Sequence, residues 1–495
     1  MRMSKIWLDV TSILGWSRPS VGVVRVESEC ARFALQHLGS DVEFCRFDRH
    51  QGFLRVDPDD VESALYRIDR TERQSSEAEK ALVSPRTLEE RVEYTARAAL
   101  QKIPPRVRAP LSHYLLKRRE SVKALVGALR ELRRAIRIWR TTSLPEVSKA
   151  DPCFPHSFAA PFSQGDAYIS LGLDWDQKDQ SFLAQVREEL SLKCVLICYD
   201  VIPVKFPHLC VGDVSAKFAR YFADISWCAD EILCISECSR RDLIELLEEL
   251  GTRIPSCTVV QLGSEIPAPK NETSEIMTAA GKRFILFVST IERRKNHETL
   301  YRAYTRLVDQ GERDLPKLVF VGMVGWGVSD FLADLRFDPR ISGLVEVLTN
   351  VSDADLTWLY KNALFTVFPS LYEGWGLAVA ESLASGKFCL ASNAASIPEV
   401  GGDLIEYLDP WDVPKWAERL KWYFDHPEEL KQAEERIKVE YAPKAWQDTA
   451  KAIFGTAEAL LTPSRSRNGD IDNVELTKKN IGANASDLQE QLRIQ

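Results

Sequence analysis

The chain has 495 residues, enough for about two to four domains, and its 45% hydrophobic and 27% charged residues exclude wholesale disorder and a small stapled scaffold. Against 72 Asp and Glu stand 64 Lys and Arg, a net charge of −8, so there is no overall attraction to nucleic acid and any basic function must be local. Eleven Cys form no C-x-x-C pair, which fits reduced thiols in a cytoplasm, and the Cys194/Cys198 and Cys234/Cys238 spacings lie in apolar runs that read as buried structure rather than a metal site. The N-terminus turns apolar at once and meets Asp9 before any secretory core, so it reads as a first β-strand. Short apolar segments then alternate with longer helical patterns, the mark of βαβ units and parallel sheets. In the first half the predicted strands are Lys5–Val10, Val42–Phe47, Asp166–Leu171, Cys194–Asp200, Glu231–Ser236 and Thr258–Leu262.

Residues 58–145 break this alternation as a helix-forming insertion without strands. Its end is strongly basic, with nine Arg and two Lys against Glu120 and Glu131 over residues 105–140. There Leu129, Leu132, Ile136 and Trp139 recur at helical spacing beside Arg130, Arg133, Arg134 and Arg137. Such an amphipathic helix suits an anionic membrane surface or, equally, a solvated face against the acidic remainder of the protein. No aromatic interleaving accompanies the arginines, so nucleic acid is not an expected partner.

A polar stretch at 266–282, opened by Ile266-Pro267-Ala268-Pro269, reads as an interdomain linker. The second set of strands is Phe284–Val288, Lys317–Gly322, Leu344–Leu348, Leu364–Pro369, Phe388–Ser392 and Asp403–Leu408. Two doubly wound α/β domains are therefore expected, at 1–265 and 283–440, facing across a cleft, because ligands on such sheets bind beyond the carboxyl ends of the strands. A C-terminal helix at 441–462 packing back on the first domain and a polar tail at 463–495 complete the chain. No apolar run reaches the roughly 18–20 residues of a membrane span, so the expected protein is soluble or peripheral.

The densest chemical signal is Pro369-Ser370-Leu371-Tyr372-Glu373-Gly374-Trp375-Gly376-Leu377, followed by Ala378 to Glu381. A buried strand ends, two glycines permit close backbone approach, and a helix begins near Leu377, whose free N–H groups suit a phosphate or diphosphate. Carboxylates beside an anion site repel phosphate unless they serve hydroxyls, so Glu373 and Glu381 together point to a nucleotide-sugar. Ser289-Thr290-Ile291-Glu292-Arg293-Arg294-Lys295-Asn296-His297 follows the first strand of the second domain and supplies cations able to clamp a diphosphate.

These residues resemble family 4 of the glycosyltransferases, retaining enzymes of the GT-B fold. The resemblance rests on the E-x7-E pair Glu373/Glu381, the E-G-W-G turn, Arg294-Lys295-Asn296, Val351-Ser352-Asp353 with Asp355-Leu356 and Leu359-Tyr360, and Ser392-Asn393 with Ile397-Pro398-Glu399-Val400. In the first domain it is thinner: Asp9, Gly22-Val23-Val24-Arg25, Gly172-Leu173-Asp174-Trp175, Tyr199-Asp200-Val201-Ile202-Pro203 and Ser236-Glu237-Cys238-Ser239. The combination is similar to bacterial mannosyltransferase-type members that build O-antigen, capsule or other surface polysaccharides.

The resemblance implies that Arg294 or Lys295 holds the donor diphosphate, Glu381 the ribose and Glu373 the donor-sugar hydroxyls. Gly374, Trp375, Gly376 and Leu377 would present backbone N–H groups, Val351 would lie beside the base, and Gly22 would let the first-domain loop approach the phosphates, with Arg25 open to a structural reading. Relatives commonly carry Arg at the place of Thr290 and His at that of Tyr199. The departure puts phosphate clamping on Arg294 and Lys295 and removes a histidine near the reacting carbon. Tyr199 and Asp200 would serve the acceptor, or Asp200 would cap the next turn.

The implied reaction is front-face transfer of a hexose, mannose from GDP-mannose, to a lipid-linked or growing glycan acceptor at the inner face of the cytoplasmic membrane, with no cofactor and no metal. The D-x-D triplets Asp57/Asp59, Asp174/Asp176 and Asp470/Asp472 read as chance or capping. A nucleotide-sugar epimerase or isomerase and a non-catalytic scaffold subunit are the competing readings.

Overall fold

The computed structural model describes residues 4–16, 22–78, 160–210, 214–265, 275–349 and 351–462. Most of the helical insertion with its basic segment, and the tail from 463, lie outside the described residues.

The first lobe holds β1 (Ile6–Asp9), α1 (Val23–Phe33), β2 (Val42–Asp48), β3 (Gly52–Val56), α2 (Pro58–Ala78), β4 (Ala167–Ser170), α3 (Gln180–Leu190), β5 (Lys193–Cys198), α4 (Val214–Cys228), β6 (Glu231–Cys234), α5 (Glu237–Glu249) and β7 (Ser256–Val259). The second holds α6 (Glu275–Ala280), β8 (Phe284–Val288), α7 (His297–Asp309), β9 (Lys317–Val321), α8 (Ser329–Phe337), β10 (Val345–Leu348), α9 (Asp353–Asn362), β11 (Thr366–Phe368), α10 (Leu377–Ala384), β12 (Cys389–Ser392), α11 (Ile397–Gly401), β13 (Glu406–Leu408), α12 (Val413–Asp425) and α13 (Pro427–Glu440). The last helix, α14 (Trp446–Leu461), lies against α1, β4 and β5 of the first lobe.

The strands run in the order β3-β2-β1-β4-β5-β6-β7 in one sheet and β10-β9-β8-β11-β12-β13 in the other. All neighbours are parallel except β2 and β3. Parallel strands are covered on both faces and therefore read as unbroken apolar runs. Leu8, Ile169, Leu196 and Leu233 in the first sheet and Leu286, Phe287, Phe320 and Leu390 in the second are fully buried.

Two features depart from the expected pattern. Strand β3 is absent from the apolar-segment reading because it is an edge strand whose run is broken by the exposed Arg55 and because it abuts the insertion. It returns antiparallel on β2 through a turn in which Asp48 accepts from the N–H groups of His50 and Gln51, at 2.9 and 3.1 Å. The second half of the expected linker is not a free connector: α6 packs on α9 and β10, with Ala280 fully buried.

Each sheet reverses its winding at one place, between β1 and β4 in the first and between β8 and β11 in the second, and such switch points open the crevice where ligands sit. The first crevice is braced by a buried ion network. Lys178 Nζ lies 3.0 Å from Asp9 Oδ2 and 2.9 Å from Asp174 Oδ1, all three side chains being almost wholly buried. Tyr168 donates to Asp9 at 2.8 Å. Asp174 is thus held by Lys178 and by the Ser170 hydroxyl at 2.8 Å, not by a capping bond, whereas Asp57 does cap its turn through the Asp59 N–H at 3.0 Å. Glu27 sits behind this network, accepting from the Ile13 N–H at 2.9 Å, and burial pushes its carboxyl up to about 8.

Candidate active site

The second switch point brings the two charged segments together, since the loop after β8 carries Thr290 to Lys295 and the loop after β11 carries Ser370 to Gly376. Glu373 reaches back across this crevice: its Oε2 is 2.8 Å from Arg294 Nη1 and its Oε1 is 2.7 Å from Lys295 Nζ. Arg294 is itself fixed by Glu292 at 2.7 Å and by the Tyr372 carbonyl at 2.8 Å. Burial works to raise the Glu373 carboxyl, but Arg294 and Lys295 outweigh it and hold it at about 2. Burial and the neighbouring Arg294 lower Lys295 against the pull of Glu373. The partly buried Arg294 and Lys295 are matched in charge by the buried Glu373 and Glu292, so the four side chains sum to zero, with both cations gathered around one carboxylate.

The loop is pinned through its carbonyls. Asn296, in the left-handed conformation at φ +58°, donates to the Pro369 carbonyl at 3.0 Å, and Ser392 donates to that of Ser370 at 2.6 Å. The Ser396 hydroxyl lies 2.9 Å from the carbonyls of both Glu373 and Trp375. Gly376 then caps α10 at φ +109°, a conformation that excludes most side chains, and Leu377 opens the helix. The indole of Trp375 is buried with the core. Gly374 meets the first lobe: a Cβ there would stand 2.4 Å from the Tyr199 carbonyl oxygen.

Glu381, on α10, receives the Tyr360 hydroxyl at 2.9 Å and lies 3.5 Å from Arg25 Nη1 of the first lobe. Burial raises its carboxyl, with Arg25 and Tyr360 opposing. The Arg25 guanidinium rests over the Trp446 ring at 5.3 Å, so the C-terminal helix backs the residue that faces Glu381.

The remaining candidates fall as follows. Thr290 lies two residues beyond β8 with its methyl beside Gly325, and a Cβ at Gly322, in the facing loop after β9, would collide with the Ser289 carbonyl. Val351 is half-buried on the cluster of Phe284 and Leu286. Gly22 opens α1 at φ +54° and is exposed. Tyr199 is turned inward, donating to the Leu171 carbonyl at 2.7 Å, and Asp200 accepts from the Ile202 N–H at 3.0 Å, the turn-capping alternative, while burial raises its carboxyl. The tyrosine hydroxyl is therefore engaged within the fold. Arg25 against Glu381 and the serines around Gly374 did not emerge from spacing, because their partners lie more than 130 residues away in sequence.

Two Rossmann-like lobes, with the cation-flanked glutamate at the switch point of the second, constitute the GT-B architecture. Sucrose-phosphate synthase from Thermosynechococcus elongatus shares the fold, with a TM-score of 0.51 at 15% identity over 92% of this chain and 99% of that chain. Residues 270–440 match the model of the family described as Glycosyl transferases group 1. The chain is similar to bacterial mannosyltransferases: it is 34% identical over 185 residues to O-antigen chain mannosyltransferase B of Escherichia coli, covering 37% of this chain and 48% of the relative. It is 26% identical over 300 residues to the serotype-specific mannosyltransferase WbdA of Escherichia coli, covering 59% and 36%. The chain thus spans about half or less of the length of these curated relatives. Among the described residues no helix is long and apolar enough to cross a membrane.

Proposed function

We propose that this chain is a retaining mannosyltransferase that takes GDP-mannose and extends a lipid-linked or growing polysaccharide acceptor. The observation that carries the reading is the Glu373 carboxylate held between Arg294 and Lys295 at the β8/β11 crevice, beside the start of α10. The similarity to O-antigen mannosyltransferases supports the sugar and the class of acceptor. In this reading the two cations and the helix start take the diphosphate, Glu373 orients the sugar hydroxyls and Glu381 the ribose.

The acceptor oxygen bonds to the anomeric carbon on the face from which the phosphate departs, the carbon–phosphate-oxygen bond breaks, and the acceptor proton passes to the leaving phosphate. No protein base is needed, and Arg294 and Lys295 meet charge that would otherwise call for a metal ion. Location at the inner membrane face follows from a lipid-linked acceptor, with the basic segment 105–140 as the proposed contact.

The test is nucleotide release from GDP-, UDP-, ADP- and dTDP-sugars with EDTA present, with and without a glycolipid-containing membrane extract, followed by the anomeric configuration of the product. Release from GDP-mannose that rises with the extract, ignores EDTA and gives the α-anomer is expected. Release from none of the donors, or a converted sugar without acceptor, overturns the reading.

A further inference from the structure

We propose that Ser236 and Ser239, on the first lobe, are positioning residues for the transfer step, aiming Glu373 through the Gly374 carbonyl. The inference rests on the reading of Glu373 as the donor-sugar contact. The carbonyls of Pro369, Ser370, Tyr372, Glu373 and Trp375 are each held by a side chain of the second lobe. That of Gly374 is held from the other lobe, by Ser236 Oγ at 2.7 Å and Ser239 Oγ at 3.1 Å, both side chains being buried. Ser239 also lies 3.0 Å from the Tyr199 carbonyl, so the same hydroxyl touches the first-lobe backbone against which Gly374 packs.

Glycine has the widest backbone freedom of any residue, and Gly374 directly follows Glu373. Without an external donor its peptide plane is the loosest joint between the Glu373 carboxylate and α10. The two hydroxyls set the Gly374 peptide plane from the first lobe, adding to the hold that Arg294, Lys295 and Ser396 have on Glu373 from the second. The meeting of the lobes is itself specific. Glu399 of α11 accepts from the Glu237 and Cys238 N–H groups at the start of α5, each at 2.8 Å, and Tyr372 bonds to Asp242 of the same helix. One helix of the first lobe thereby grips both sides of the glutamate loop, which couples closure to the geometry of the reacting centre.

The experiment compares the wild type with Ser239→Ala, Ser239→Thr and Ser236→Ala/Ser239→Ala. Turnover at saturating donor, the dissociation constant of GDP and the melting temperature are followed for each. Ser236 also caps α5 through the Ser239 N–H at 2.9 Å, so Ser239→Ala is the cleaner single variant. The double variant is expected to lose about tenfold in kcat with the GDP dissociation constant changed less than about twofold, and Ser239→Thr to restore most of the loss found for Ser239→Ala.

In a Glu373→Gln background the same double substitution should change the residual rate less than about twofold, because its effect passes through the missing carboxylate. Parallel shifts in kcat and GDP affinity, or an undiminished effect in the Glu373→Gln background, would overturn the proposal. Hydrogen exchange at residues 370–377 reports independently of activity: exchange in the double variant should be faster there and unchanged in β8. Unchanged exchange at 370–377 would sink the positioning role even if the wild type turns over no donor, an outcome that by itself would count against the proposed function instead.

Discussion

Arg25 and Glu381 stand on opposite lobes and meet at 3.5 Å, Nη1 to Oε1, with the guanidinium backed by the Trp446 ring. Burial raises the carboxyl of the residue proposed to hold the ribose, and a cation from the other lobe opposes that shift. Arg25→Met is expected to weaken donor binding about tenfold and to move its acid limb to higher pH, because removing the cation raises Glu381 further and the carboxylate is the form that accepts from hydroxyls. Isothermal titration with GDP between pH 5 and 8 checks both effects; an acid limb that stays in place would remove Arg25 from this role.

Glu373 carries two expectations of opposite sign. Glu373→Gln should lower kcat about a hundredfold, the scale of a lost transition-state contact. It also removes the counter-charge that the partly buried Arg294 and Lys295 share while leaving Arg294 its ion pair with Glu292, so the cost should stay below the roughly 3–5 kcal/mol of breaking a fully buried pair. An anion that fills the gap should recover part of this loss, so GDP is expected to raise the melting temperature of the variant more than that of the wild type. Since the carboxyl titrates at about 2, no limb of the pH–rate profile above pH 4 should belong to it.

Gly374→Ala places a methyl group 2.4 Å from the Tyr199 carbonyl, and backbone cannot yield as a flexible side chain would. The lobes should be held apart while the second lobe keeps its fold. GDP binding is expected to persist, with turnover lost by about a hundredfold or more. Loss of GDP binding in proportion to turnover would contradict the steric account.

Glu27 links stability to pH. Its carboxyl is raised to about 8 from an ordinary 4.5, so the folded chain holds a proton that the unfolded chain releases between these values. The stabilisation is complete below pH 4.5 and is lost as pH rises through 8, at about 1.4 kcal/mol per unit within the window. Glu27→Gln, which keeps an acceptor for the Ile13 N–H, should flatten this slope. Chemical denaturation at pH 6 and pH 9 gives the comparison, and equal slopes for the two proteins would place the proton elsewhere.

The buried strands were readable because a parallel strand covered on both faces must be an unbroken apolar run, as in Phe284–Val288 or Cys194–Cys198. The glycines at 374 and 376, and the cations at 294 and 295, were readable as chemistry because few other residues meet the backbone and charge demands of an anion site. What the apolar runs could not carry was β3, an edge strand interrupted by the exposed Arg55 and paired through one turn, and the use made of Asp200, whose capping and acceptor readings differ only in where its carboxylate points.

The amino-acid sequence by itself thus determined the alternation of parallel strands and helices, β3 and the helix Glu275–Ala280 excepted, and the glycine and cation clusters of the second lobe, because period, glycine and charge are properties of neighbouring residues. Only the tertiary structure decided that Glu373 lies between Arg294 and Lys295, that Glu381 faces Arg25, and that Ser236 and Ser239 hold Gly374. Those contacts join residues 78 to 356 positions apart through single hydrogen bonds or ion pairs, and such a bond imposes no periodicity on the segments that it connects.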